Sequence, residues 1–247
     1  MKSITRIELL KNMEESIARN SSSSSHPFPF FYTTNLFPHI FYKNIISMMP
    51  DLHQYERSDQ RRTTNRNSLE FRRRINLTEK ISTSRLNGQQ LNFWKFLSNT
   101  LSSTKFSSII KKEFAPQLAR RYRTSEPNTR TRIELISDLN GYEIKPHTDA
   151  PHKIITILFY FPETLEQTNL GTHIYEPRVH GFTEETGKQL SFELFKTYSE
   201  IPFLPNSMLA FMKTNNSFHG RPKIKQNLER RNWMNCSIQL EDSFVSQ

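Results

Sequence analysis

Residues 140–162, NGYEIKPHTDAPHKIITILFYFP, constrain this chain more than any other stretch. Asn140-Gly141 is a dipeptide of tight hairpin turns, so the chain is expected to reverse there and to lay residues 142–147 against the preceding β-rich run TRIELISDL. The run ITILFYFP that follows is apolar, β-branched and aromatic, the composition of a buried strand. Between them lie His147 and Asp149, at the end of what reads as extended chain closed by Ala150-Pro151. Side chains at i and i+2 of extended chain leave from one face, so an imidazole and a carboxylate converge on one point while Thr148 faces away. A strand end on a rigid scaffold can hold such a pair in fixed geometry.

The pair provides two of the three ligands of a facial two-histidine, one-carboxylate iron site, which leaves three positions of the metal free. A third ligand must come from elsewhere. The best candidate is His219 in NNSFHGRPKI, which follows a strand-like run at 208–212. His152, His173 and His180 lack flanking strand patterns and read as surface or pocket residues. Further on, RRNWMNCSIQL reads as a strand with Arg231, Trp233 and Asn235 on one face and Arg230, Asn232 and Met234 on the other, so a one-residue change of register would exchange the two arginines.

A His-x-Asp, a distal His followed by Gly, and a downstream Arg, in this order, resemble the iron(II)- and 2-oxoglutarate-dependent dioxygenases, particularly their prolyl-hydroxylase-like branch, over about residues 132–240. The resemblance implies an α+β, mainly β fold: a double-stranded β-helix, or jelly roll, supported by N-terminal helices. It implies Fe(II) held by His147, Asp149 and His219, with 2-oxoglutarate and O2 as co-reactants and ascorbate as a supporting reductant. Tyr160, in the strand after the first ligand pair, falls where the family carries a tyrosine to 2-oxoglutarate. Arg231 is the expected anchor for the far carboxylate, because a guanidinium matches it bidentately, with Arg230 as the alternative. One residue departs from the pattern. Where the branch commonly has a small apolar residue two positions after the distal histidine, this chain has Arg221, which either faces the site or is turned outward by a bend at Gly220-Arg221-Pro222. Arg221, Trp233 and Asn235 are candidate substrate or pocket residues.

With 247 residues the chain suits one domain with a full core. Its 34 basic and 24 acidic residues give a net charge of +10, which attracts anions. Cys236 is the single cysteine, which excludes an intramolecular disulfide and a cysteine-built metal site. No run reaches the 18 or so apolar residues of a membrane span, and residues 1–20 lack a signal-peptide core, so a cytoplasmic protein without a membrane partner is expected.

Ile4, Ile7, Leu10, Met13 and Ile17 recur at helical spacing, so residues 3–19 read as an amphipathic helix capped by Ser3, followed by a flexible linker of five serines. Residues 1–26 thus form an N-terminal element and 27–247 the oxygenase domain, with helical support over about 35–120 and metal-bearing strands over about 131–240. Within it, PFPFFYTT reads as a strand, residues after Pro38 as a helix ended at Pro50, and 51–74, with seven arginines, as a solvated loop. Helices are expected near 88–100, around Leu91, Trp94 and Leu97, and near 104–114, around Phe106, Ile109 and Ile110, until Pro116 interrupts. Residues 120–132 read as a basic link. Residues 163–200 read as a lid or substrate loop with a short helix near 192–198, and three strands follow.

The function expected is hydroxylation of a C–H bond in a small molecule (a metabolite, amino acid or carbohydrate), anionic given the charge, with release of succinate and CO2. A protein or prolyl-type peptide hydroxylase is the nearest alternative. Nucleic-acid demethylation is weaker, because no aromatic-interleaved basic stripe is present to stack bases. A non-catalytic binding protein on the same scaffold is the last, and the oligomeric state is left open.

Overall fold

The computed structural model describes residues 4–58, 69–225 and 230–241. Among these, strands form two antiparallel sheets. The larger has eight strands in the spatial order β1 (Ser22–Ser24), β2 (Phe30–Thr33), β10 (Ser207–Met212), β7 (Lys153–Phe161), β12 (Arg231–Leu240), β5 (Thr129–Asp138), β4 (Arg72–Asn76) and β3 (Glu56–Arg57). The smaller has four, β6 (Ile144–His147), β11 (His219–Arg221), β8 (His173–Pro177) and β9 (Phe195–Glu200). The sheets face one another as a jelly roll, the double-stranded β-helix expected.

Alternation along the strands sets the two faces of the larger sheet. Met234, Cys236 and Ile238 of β12, with Ile155, Ile157 and Phe159 of β7, join the core under the helices. Trp233, Tyr160, Leu158 and Ile136 point the other way, into the space between the sheets. The helices are α1 (Arg6–Asn20), α2 (His39–Ser47), α3 (Lys80–Thr83), α4 (Gly88–Leu101), α5 (Thr104–Glu113) and α6 (Ala115–Tyr122). Trp94, Leu97, Phe106 and Ile110 are fully buried against the sheet. No helix among the described residues is long and apolar enough to cross a membrane.

Several local expectations are corrected. Ser3 lies outside the described residues; the first helix is capped by Thr5, which shares a capping box with Glu8. Its buried stripe is Leu9, Leu10, Met13 and Ile17, whereas Ile7 is 81% exposed. The serine run is no flexible linker at Ser22–Ser24, where it pairs with β2 as an edge strand. Of the expected loop at 51–74, residues 59–68 lie outside the described ones, and the rest contributes β3 and β4, so Arg72, Arg73 and Arg74 belong to a strand. Pro116 sits in the first turn of α6, where a missing N–H costs nothing, so besides following the end of α5 it opens a further helix that runs into the first residues, 120–122, of the expected link. The short helix expected near 192–198 is a single turn, Phe192–Leu194, leading into β9.

The most consequential correction concerns the turn at Asn140-Gly141. Both edges of β5 are already taken, by β4 and β12, so no edge remains for a hairpin partner. The chain instead crosses to the smaller sheet, and β6 pairs with β11. Gly141 has φ 94°, a left-handed conformation that favours glycine, and its N–H donates to Ile224 O at 3.0 Å.

Candidate active site

Between the sheets lies a cavity of about 370 Å³. At one end are His147, Asp149 and His219, whose potential ligand atoms all lie within 4.8 Å of one another. Strand pairing brings them together: His147 of β6 and His219 of β11 are direct cross-strand partners, with ring centroids 4.4 Å apart. Asp149 follows two residues beyond His147, past the strand end.

Each imidazole is oriented by a backbone carbonyl. Nδ1 of His147 donates to Lys145 O at 2.9 Å and Nδ1 of His219 to Ser217 O at 3.0 Å. A carbonyl only accepts, so the proton of each neutral ring is on Nδ1 and the lone pair on Nε2. Burial, reinforced by the neighbouring His219, lowers the His147 pKa to about 3, and burial lowers that of His219 as well. Both rings are therefore neutral at pH 7. Burial works against charge on Asp149, but Lys153 and the two imidazoles outweigh it and hold the carboxyl below its usual range. Lys153 Nζ donates to Asp149 Oδ1 at 2.6 Å and Thr156 Oγ1 to Oδ2 at 2.5 Å. Thr148, between His147 and Asp149, is anchored through its hydroxyl, which lies 2.9 Å from Glu184 O and 3.1 Å from the buried Lys213 Nζ.

The opposite end is cationic. Arg72, Asp138 and Arg231 are neighbours in one row across β4, β5 and β12. Asp138 receives Arg72 Nε at 2.7 Å, Arg231 Nη1 at 2.9 Å and Trp233 Nε1 at 2.8 Å. Arg231 also donates through Nε to Leu170 O at 2.6 Å and is 3% exposed. Arg230 points away from the cavity, onto Glu163 and Pro50 O. Arg221 lines the cavity, past an irregularity in the β6–β11 register, and Nη1 donates to Asn169 O and Gly171 O. Trp233 and Asn235 line it too, and the buried Asn235 Oδ1 has no hydrogen-bond partner among the described residues.

Tyr160 is buried beneath the cavity and does not line it; its hydroxyl donates to Thr172 Oγ1 at 2.8 Å, and burial raises its pKa to about 12. Its ring centroid lies 5.9 Å from the Arg231 guanidinium carbon. Among the other histidines, His152 is exposed and lines the cavity, His173 lies 3.9 Å from Glu200, and His180 is exposed. Sequence reasoning missed Asp138, Arg72, Lys153 and Thr156. Thr156 alternates with Leu158 and Tyr160 on one strand face, a signal that could have found it.

Two neutral imidazole nitrogens and one carboxylate suit a divalent first-row metal, and the partnerless Asn235 Oδ1 and the buried guanidinium groups suit a polar, anionic organic ligand beside it. No family model matches the sequence, and no curated protein matches it. Solved structures do resemble it. A prolyl hydroxylase of Trichoplax adhaerens, in complex with a hypoxia-inducible-factor oxygen-degradation-domain peptide fragment, has 14% identity and a TM-score of 0.51 over 96% of this chain and 93% of that chain. A prolyl 4-hydroxylase of Phytophthora capsici has 13% identity and a TM-score of 0.50, covering 96% and 67%. The epimerase SnoN, in complex with Fe3+, α-ketoglutarate and nogalamycin RO, has 11% identity and a TM-score of 0.50, covering 94% and 83%.

Proposed function

We propose that this chain, whose fold is that of the 2-oxoglutarate- and iron(II)-dependent oxygenases, is itself such an enzyme and hydroxylates a C–H bond of a small, anionic molecule. The observation that carries the reading is the convergence of His147, Asp149 and His219 within 4.8 Å at one end of a cavity whose other end holds the buried Arg231. His147 and His219 would hold the metal through Nε2 and Asp149 through a carboxylate oxygen. When bound, iron(II) with a 2-oxo acid and O2 supplies the oxidising power to put one oxygen atom into the substrate and the other into succinate, with loss of CO2.

The protein's own groups do the rest. Lys145 O and Ser217 O fix which ring nitrogen faces the metal, and Lys153 and Thr156 keep the Asp149 carboxylate ionised and oriented. Arg231, fixed by Asp138 and Leu170 O, presents a cation to the far carboxylate of 2-oxoglutarate, a charge-assisted contact in a desolvated place. A protein-type hydroxylase is the second reading, since the Trichoplax protein was solved with a peptide while SnoN holds nogalamycin RO. A cavity of about 370 Å³, within the usual size of small-ligand pockets, favours the small molecule.

The test is succinate release from 2-oxoglutarate with iron(II), ascorbate and air, screened over a metabolite pool for products heavier by one oxygen. Release by the native protein that is lost in His219→Ala supports the reading. Absence of both metal binding and 2-oxoglutarate binding would sink it.

A further inference from the structure

The loop at 169–171 does something unusual at the cationic end of the cavity. Its three successive carbonyls hold two different arginines: Asn169 O and Gly171 O accept from Arg221 Nη1 at 3.1 and 2.8 Å, and Leu170 O accepts from Arg231 Nε at 2.6 Å. Gly171 lets that loop approach its support, because a Cβ there would lie 1.5 Å from Ile201 O. Adjacent carbonyls of one segment thus hold both guanidinium groups, and both residues are buried, Arg221 at 7% exposure and Arg231 at 3%.

Counter-charge is short. Asp138, the buried carboxylate nearby, is already shared by Arg72, Arg231 and Trp233. Arg221 carries a guanidinium, which stays charged at pH 7. Its Nε is buried and has no acceptor among the described residues, although the side chain lines the cavity. An unpartnered buried donor on a cation is costly unless a ligand accepts from it.

We propose that Arg221 is a second cationic contact for the terminal carboxylate of the 2-oxo acid, acting with Arg231, so that the site selects dicarboxylic over monocarboxylic 2-oxo acids by a two-arginine grip. The proposal rests on the oxygenase reading above and deepens it. The ligand class follows from the charges: three guanidinium groups, those of Arg72, Arg221 and Arg231, against Asp138 and the cavity-lining Glu143 leave an excess of positive charge at the end of the cavity away from the metal ligands. A terminal carboxylate placed there would accept from Arg221 Nε.

Calorimetric titration with 2-oxoglutarate and with 2-oxobutyrate, which lacks the terminal carboxylate, tests this on full-length protein loaded with Mn(II). Arg221→Leu is expected to weaken 2-oxoglutarate binding by on the order of ten- to a hundredfold and to leave 2-oxobutyrate binding within about threefold. Arg221→Lys, which keeps the charge and loses Nε, should show a smaller loss with the same selectivity, and it stands in if the leucine variant does not fold. Unchanged 2-oxoglutarate affinity in a folded variant overturns the proposal and leaves the oxygenase reading intact, as does an equal loss for both acids. Failure of the native protein to bind either acid overturns both.

Discussion

Asp138 ties together three side chains from two other strands, and its replacement asks how the cationic end of the cavity is held. Asp138→Asn keeps the shape but leaves the buried Arg231 and the partly buried Arg72 without their shared counter-charge, so a loss of about 3–5 kcal/mol is expected in urea unfolding. Arg230→Ala removes a partly exposed pair with Glu163 and should cost less than about 1 kcal/mol. Comparable losses would mean that the Asp138 cluster is not the anchor described. Alanine at His147, Asp149 or His219 should abolish the rise in Tm that Mn(II) gives the native protein, while leaving the far-ultraviolet circular dichroism unchanged; a variant that keeps the full rise would not be a ligand. The His-x-Asp pair was legible because both residues lie in one extended stretch, where local periodicity determines direction. Asp138 was not, since Arg72 and Arg231 lie 66 and 93 residues away and nothing local joins them.

At the scale of elements, the approach of β6 to β11 determines whether the two histidines meet. Gly220 permits that approach, because a Cβ there would lie 2.6 Å from Ile144 O. Gly220→Ala should therefore spread the pair, weaken Mn(II) binding at least tenfold and cost roughly 1–3 kcal/mol, the usual range for overpacking; native metal affinity would show that the strands need not touch. On the first helix, Leu9→Ala is expected to cost about 2–5 kcal/mol and Ile7→Ala to stay within about 0.5 kcal/mol in the same unfolding assay, because Leu9 is fully buried and Ile7 is not. The helices at 88–101 and 104–113 were readable from apolar spacing with clear starts and stops. The Ser22–Ser24 strand was not, because an edge strand needs only backbone pairing and serine advertises none. The crossing at Asn140-Gly141 was misread for a related reason: turn chemistry shows where a chain reverses, while the strand it joins depends on which edges the distant β4 and β12 have already filled.

For the molecule as a whole, several buried imidazoles make stability depend on pH. His147, His173 and His219 all titrate below the ordinary imidazole range, chiefly through burial. Below about pH 6.5 the unfolded chain therefore binds more protons than the folded one, and the metal-free protein should lose stability as pH falls from 6.5 toward 3, by up to about 1.4 kcal/mol per pH unit for each group. Asp149, held low, acts in the same direction at still lower pH, its contribution being present above the usual carboxylate range and lost below it. Urea midpoints measured in chelator between pH 7.5 and 4 check this, and a flat profile would contradict it. Mn(II) at a hundred times its Kd should add about 2.7 kcal/mol at pH 7.

The order of strands in the larger sheet also has a consequence in time. Phe31 of β2 pairs with Ala210, and β12, the last strand among the described residues, separates β5 from β7. During synthesis at about 5–20 residues per second, the aromatic segment around Phe30 and Phe31 would wait on the order of 10 to 40 s for its partner strand to be made, and the sheet would stay split in two until β12 emerged. The nascent chain thus exposes apolar edges through most of its synthesis, which makes it a substrate for holding chaperones, and stalling translation before residue 231 should yield aggregating chains rather than a folded intermediate.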